Sequence, residues 1–170
     1  MGNFVIRPVT PNDAEGIVAF WNPIILEGKY TIFTEPFSAE AERQYILNMS
    51  DRDIFHVAVD VKNDRIVGFQ SMSPHSPFPA MRHVATIGTY VDSAYRRRGI
   101  AKKLYPVSFA AAIAKGFTKI FAQVRGDNPN ALAAYQKHGF TIVGIAKNHA
   151  KINGQYVDEI LIEKLLSPEV

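Results

Sequence analysis

The sequence predicts a layered α/β domain spanning residues 1–170, a mixed β-sheet covered by helices. Three observations carry this. Short runs rich in Val, Ile, Phe and Tyr are interleaved with segments of helical periodicity. At 170 residues and 47% hydrophobic composition, the chain can bury one sizeable core and is too short for two ordinary domains. The predicted order is strand, two helices, three strands, helix, strand, helix, two strands, which calls for a mixed sheet with about four helices packed on it.

Residues 4–8 alternate Phe4, Ile6 and Pro8 with Val5 and Arg7 and read as a strand. Three helix-start signals follow together. Thr10 can cap, Pro11 suits the first helical position, and Asp13 can close a capping box and favour the positive end of the dipole. The predicted helix runs to Leu26 with Ile17, Phe20 and Trp21 on one face, and Ser38 caps a second helix carrying Tyr45, Ile46 and Met49. Residues 55–61 and 66–72 form a hairpin around Lys62, Asn63 and Asp64, and the proline-rich segment 73–82 reads as a loop. Residues 83–91 are the next strand.

An Ala-rich helix is predicted over residues 100–115, stopped by Gly116, with Pro106 as an interruption. Residues 119–124 form a strand, residues 126–129 a turn, and residues 130–138 a short helix ended by Gly139. The strands at residues 141–150 and 156–165 flank Asn153-Gly154, a strong hairpin signal.

Composition narrows the function classes. The chain has no cysteine, so disulfides, thiol nucleophiles and thiolate metal sites are excluded, and any catalysis uses oxygen or nitrogen groups. No apolar run reaches the roughly 18 residues of a membrane span, and residues 1–7 lack the pattern of a secretory signal, so a cytoplasmic protein without membrane association is expected. A net charge of +3 gives no reason to expect a nucleic-acid partner, and the dense basic cluster at Arg96, Arg97, Arg98, Lys102 and Lys103 is local.

That cluster sits where the chemistry is expected. A strand ending in Thr89, Tyr90 and Val91 runs into a turn that opens a helix at Gly99, Ile100 and Ala101. The start of a helix presents unpaired N–H groups and partial positive charge, and a glycine there lets a diphosphate approach the backbone. The arginine forks match phosphate oxygens. A solvated surface turn is the bland alternative.

The pattern Arg96-x-x-Gly99-x-Ala101, placed between a strand and a helix and followed by a second strand and Gly139-Phe140, resembles the coenzyme A signature of GNAT acetyltransferases. The resemblance covers essentially the whole chain in element order. It implies a sheet splayed between its fourth and fifth strands, with the pantetheine arm of acetyl-CoA in the gap. It also implies cofactor contacts from Thr89, Tyr90, Val91, Arg96, Arg97, Arg98, Gly99, Ile100, Ala101, Lys102 and Asn128, those of Tyr90 and Val91 through the backbone.

Thr34-Glu35-Pro36, Tyr90-Val91, Asn128-Pro129-Asn130-Ala131 and residues 151–158 are similar to the phosphinothricin and methionine-sulfoximine branch of that family. The implied reaction is direct acetyl transfer in a ternary complex to a primary amine of a small, amino-acid-like molecule. That branch carries a glutamate in the fourth strand where this sequence has Thr86, so the general base is displaced. Glu35 is the candidate base, alone or through water, or else a solvated loop carboxylate. Tyr135 is the implied acid for the departing thiolate, or else an amphipathic-helix tyrosine packed on Ala131 and Leu132. Asn128 before Pro129 is also ordinary turn chemistry.

His75 and His83 flank the proline-rich loop, His138 stands near a helix end, and no histidine pair has metal-ligand spacing, so no metal is expected. The final hairpin, with Ile160, Leu161 and Ile162, is the expected contribution to a homodimer. The competing readings are a protein N-terminal or lysine acetyltransferase, which needs an open peptide-sized groove, and a non-catalytic acyl-CoA-binding module.

Overall fold

A computed structural model describes residues 3–166. Seven strands form a sheet in the order β1-β2-β3-β4-β5-β7-β6. They are β1 (Phe4–Pro8), β2 (Ile54–Asp60), β3 (Arg65–Pro74), β4 (Val84–Val91), β5 (Lys119–Arg125), β6 (Thr141–Ile152) and β7 (Gln155–Leu165). The helices are α1 (Ala14–Leu26), α2 (Ala39–Leu47), α3 (Ile100–Ala114) and α4 (Pro129–Lys137). The predicted fold class and element order hold.

Alternation along the strands separates the two faces. Val57 and Phe69 pack under α1 and α2 with Ile17, Phe20, Trp21 and Ile46. Ala58, next along β2, points the other way, and a bulge in β3 opposite Ala58 and Val59 turns Val67 to that same face, both packing against Ile100 and Leu104 of α3. A third cluster joins Tyr105 and Ala112 of α3 to Tyr135 of α4 through Ile120, Ala122 and Ile162.

The start of α1 is locked by one carboxylate. Asp13 accepts the Thr10 backbone N–H at 2.7 Å and two guanidinium N–H groups of Arg7, both at 2.7 Å, tying the end of β1 to the helix entry. Burial raises the Asp13 pKa, but these bonds outweigh it and hold the carboxyl below its ordinary range. Ser38 caps α2, its hydroxyl accepting from Ala41 N at 3.0 Å.

Two segments differ from expectation. β3 continues through Pro74 into the predicted loop, because its pairing with β4 persists to Pro74 opposite Ala85. Pro106 lies inside an unbroken α3 on its exposed face, one turn after exposed Lys102, whose carbonyl loses its helical partner.

The feature that positions the site is the junction of β4 and β5. These parallel strands pair only at Val84 with Lys119 and Ala85 with Ile120. Beyond Ala85 they separate, although β4 stays paired to β3 through Val91. The far edge of β4 is thereby left without a strand partner, facing the gap.

Candidate active site

The gap opens into a cavity of about 630 Å³ between the sheet, α2, α4 and the segment after α1. Its wall draws Thr86, Gly88, Thr89 and Tyr90 from β4, Gln123, Val124 and Arg125 from β5, and Asn128, Ala131 and Tyr135 from α4 and its cap. The remainder is largely aromatic. Trp21 stacks on Phe37 with centroids 5.1 Å apart and meets Phe33 and Phe69 edge-on.

Below the cavity, the turn after β4 leads into α3. Asp92 accepts the Ala94 N–H at 2.9 Å and an Arg65 guanidinium N–H at 2.8 Å, which fixes the exit of β4. Arg97 and Gly99 adopt left-handed backbone conformations, φ +61° and +83°. A Cβ built on Gly99 meets no atom within 4 Å, so the space at the helix start is open. The exposed N–H groups of the first turn face outward there as a ready anion site, and Arg97, Arg98 and Lys102 are exposed around it. This turn suits a diphosphate.

The predicted cofactor residues line this turn, the free edge of β4 and the cap of α4. The Ile100 side chain is buried in the core, so only its backbone faces the turn. The Tyr90 ring packs on Trp21 and Phe69 and its hydroxyl donates to Thr31 Oγ1 at 3.2 Å, leaving its main chain at the gap. Arg96 is partly committed, its guanidinium lying 4.3 Å from the centre of the Tyr30 ring. Asn128 caps α4 by accepting Ala131 N–H at 3.2 Å through Oδ1, which leaves its amide N–H groups free to donate.

Tyr135 is buried with its hydroxyl 3.5 Å from Thr89 Oγ1, and Gln70 Nε2 donates to the same Thr89 oxygen at 2.9 Å. Burial pushes the Tyr135 phenol up to about 12, partly offset by the Thr89 contact. The phenol therefore holds its proton throughout the neutral range.

Glu35 lies at the rim of the site. Its side chain is exposed and borders a shallow groove with Thr34, Pro36 and Ser38, and that groove shares Ile32, Phe33, Phe37 and Ala41 with the main cavity, whose own wall does not include Glu35. Thr86 does line the cavity. The carboxylates in the wall are Glu42 of α2 and Glu159 of β7, neither singled out by the sequence reading. Glu42 had a legible signal, since it lies four residues before Ile46 on the buried face of α2, an acid in an apolar stripe. Glu159 had none, because strand alternation does not tell which long charged side chains reach a cavity.

The apolar residues assigned to the dimer also need correction. Ile162 is fully buried and Ile160 packs on the core of its own chain. The exposed apolar side chains of the hairpin are Ile142, Val143 and Ile145 on edge strand β6, with Tyr156 and Leu165 on β7.

Comparison with known proteins decides the family. Residues 23–140 match the model of the acetyltransferase (GNAT) family. The chain belongs to the GNAT acetyltransferase family. As a GNAT enzyme it is an N-acetyltransferase that draws its acetyl group from acetyl-CoA.

It is similar to the phosphinothricin N-acetyltransferase of Streptomyces coelicolor, 26% identical over 95% of each chain. It is 37% identical to the L-amino acid N-acetyltransferase AaaT of Escherichia coli across 47% of this chain and 50% of that one. The structure of a phosphinothricin acetyltransferase from Sinorhizobium meliloti in complex with acetyl-CoA superposes with a TM-score of 0.88 at 21% identity, covering 96% of this GNAT chain and 89% of that one. Among the described residues no helix is long and apolar enough to cross a membrane, and no three His, Asp or Glu side chains are grouped to hold a metal ion.

Proposed function

We propose that this enzyme acetylates the primary amine of a small, amino-acid-like molecule by direct transfer within a ternary complex. The observation that carries the reading is the continuity of the β4–β5 gap with an aromatic-walled cavity, with Tyr135 in the shared wall. The names of the Streptomyces coelicolor and Escherichia coli relatives, which act on phosphinothricin and L-amino acids, support the acceptor class. Direct transfer is supported by the lack of any cysteine that would most readily carry an acyl group.

The donor supplies an activated acetyl thioester. The α3 start, with Gly99 as its cap, binds the diphosphate through the Ile100, Ala101 and Lys102 backbone, and Arg96, Arg97 and Arg98 add charge. The free edge of β4 at Thr89, Tyr90 and Val91 lines the pantetheine arm, and Asn128 donates to it from the opposite wall. Tyr135 holds a proton at its hydroxyl for the departing sulfur. Its raised pKa suits that task only because a thiolate forming in the same buried gap has a raised proton affinity too.

The relatives named for phosphinothricin and L-amino acids support a small acceptor over a peptide. A homodimer remains part of the reading, now resting on the apolar edge of β6. The test is acetyl-CoA consumption by the purified enzyme across amino acids and amino-acid-like amines. Amine-dependent release of coenzyme A with an N-acetylated product supports the reading, and acetylation of peptides but of no free amine overturns the acceptor class.

A further inference from the structure

The cavity wall contains three charged side chains, Glu42, Arg125 and Glu159, and their pairing is uneven. Arg125 is committed. Its Nη1 donates to the Gly28 carbonyl at 2.7 Å and the Thr31 carbonyl at 3.0 Å, while Nε and Nη2 donate to the Asp127 carboxylate at 2.9 and 2.7 Å. One guanidinium N–H remains, and the charge is already matched by Asp127.

Glu42 is the opposite case. It is 4% exposed, and among the described residues no cation or hydrogen-bond donor contacts its carboxylate. Glu159 is 6% exposed, and among the described residues the basic group near it is the His149 ring at 3.8 Å. The uncharged remainder of the wall includes nine aromatic side chains, with hydroxyl and amide groups among them. Their ring faces favour a cation and an apolar body.

Resting on the acetyl-transfer reading above, we propose that the acceptor is an α-amine with an apolar or aromatic side chain and no anion beyond its α-carboxylate, seated with its ammonium against Glu42. The Ser71, Ser73 and Thr86 hydroxyls in the same wall are donors for one carboxylate. A second anion would be buried beside two carboxylates with no free cation to meet it, and such burial is strongly unfavourable.

The same contact provides the missing base. One ammonium N–H bond breaks, an O–H bond forms on Glu42, and nitrogen keeps the electron pair for the acetyl carbon. A second amine proton is lost as the amide forms, balancing protonation of the sulfur, and the proton on Glu42 leaves to solvent with the product. Burial pushes the Glu42 carboxyl up to about 7, so it gains and loses a proton near neutral pH. Facing it across the cavity are Tyr45 of its own helix, Tyr30 after α1, Tyr90 of β4, Tyr135 of α4, Arg125 and Glu159.

Trp21 is the chain's single tryptophan and lies in this wall, so its fluorescence reports acceptor binding without turnover. L-Phenylalanine and L-glutamate, which share the α-amine and α-carboxylate, would be titrated at pH 8 into the full chain saturated with coenzyme A. Phenylalanine is expected to bind at least tenfold more tightly than glutamate, and Glu42→Gln, folded by its thermal melt, to lose at least tenfold in phenylalanine affinity. Equal or tighter glutamate binding, no saturable phenylalanine binding, or unchanged affinity in folded Glu42→Gln would overturn the proposal. Transfer to other amines without phenylalanine binding would sink this inference alone. Phenylalanine binding without transfer to any amine would instead sink the proposed function.

Discussion

The Tyr135 hydroxyl lies 3.5 Å from Thr89 Oγ1, linking α4 to β4 across the gap that the diverging strands leave open. The contact is long for a hydroxyl bond, and the Gln70 amide, 2.9 Å from the same oxygen, holds Thr89 in place. Removing the Tyr135 hydroxyl is expected to lower kcat by roughly 10²–10⁴-fold, the range typical of general acid catalysis, with acetyl-CoA affinity retained. Thr89→Val leaves the phenol but not its orientation, so its loss in kcat is expected to be smaller. Steady-state kinetics under conditions where chemistry limits the rate measures both, and an unaltered kcat in Tyr135→Phe assigns the proton to water or another group.

Gly99 is placed for cofactor binding by both conformation and space. Its φ of +83° disfavours any side chain, and its open surroundings are where a diphosphate would sit. Gly99→Val is expected to raise the acetyl-CoA dissociation constant at least tenfold, about 1.4 kcal/mol. Calorimetric titration of the folded variant checks this, and an unchanged constant would falsify the placement of the diphosphate.

Glu42 ties stability to pH. Its carboxyl is raised in the folded protein to about 7 from an ordinary 4.5, so the native state binds the extra proton between those values. Stability therefore falls as pH rises through that window, because the folded protein comes to hold a buried, unpaired charge. Relative to wild type, Glu42→Gln is expected to be about equal near pH 4 and more stable by about 1–2 kcal/mol at pH 8. Denaturant melts at both pH values test it, and a difference that does not vary with pH would show that the carboxyl does not titrate as described.

The edge strand β6 exposes Ile142, Val143 and Ile145 beside unpaired backbone groups, the kind of edge that is buried against a partner or blunted by charge. Ile145→Lys is expected to shift a dimer toward monomer in sedimentation at micromolar concentration. A wild-type mass that is monomeric across that range removes the dimer from the account.

The sequence and structure agree most closely where local chemistry alone sets the outcome. Thr10, Pro11 and Asp13 announced the entry to α1, Ser38 the cap of α2, and Asn153-Gly154 the last hairpin, each through contacts within a few residues. The splay between β4 and β5 was legible only through family resemblance, since no residue in either strand marks the point at which pairing stops. Among site residues, the turn from Arg96 to Ala101 was readable because strand, arginines and glycine are contiguous. Glu42 and Glu159 reach one cavity from α2 and β7, a meeting set by tertiary packing. Glu35 illustrates the converse: a motif located its segment, but not the direction of its side chain.

The central claim is acetyl transfer from acetyl-CoA directly to a small amine, and a coenzyme A release assay with the product read by mass spectrometry tests it most directly. The expected result is thiol release that requires both the enzyme and an amine such as L-phenylalanine, yields the N-acetyl product, and leaves no acetylated protein behind. Tight acetyl-CoA binding with no amine-dependent release, or a stable acetyl-enzyme formed before the amine is added, would contradict it.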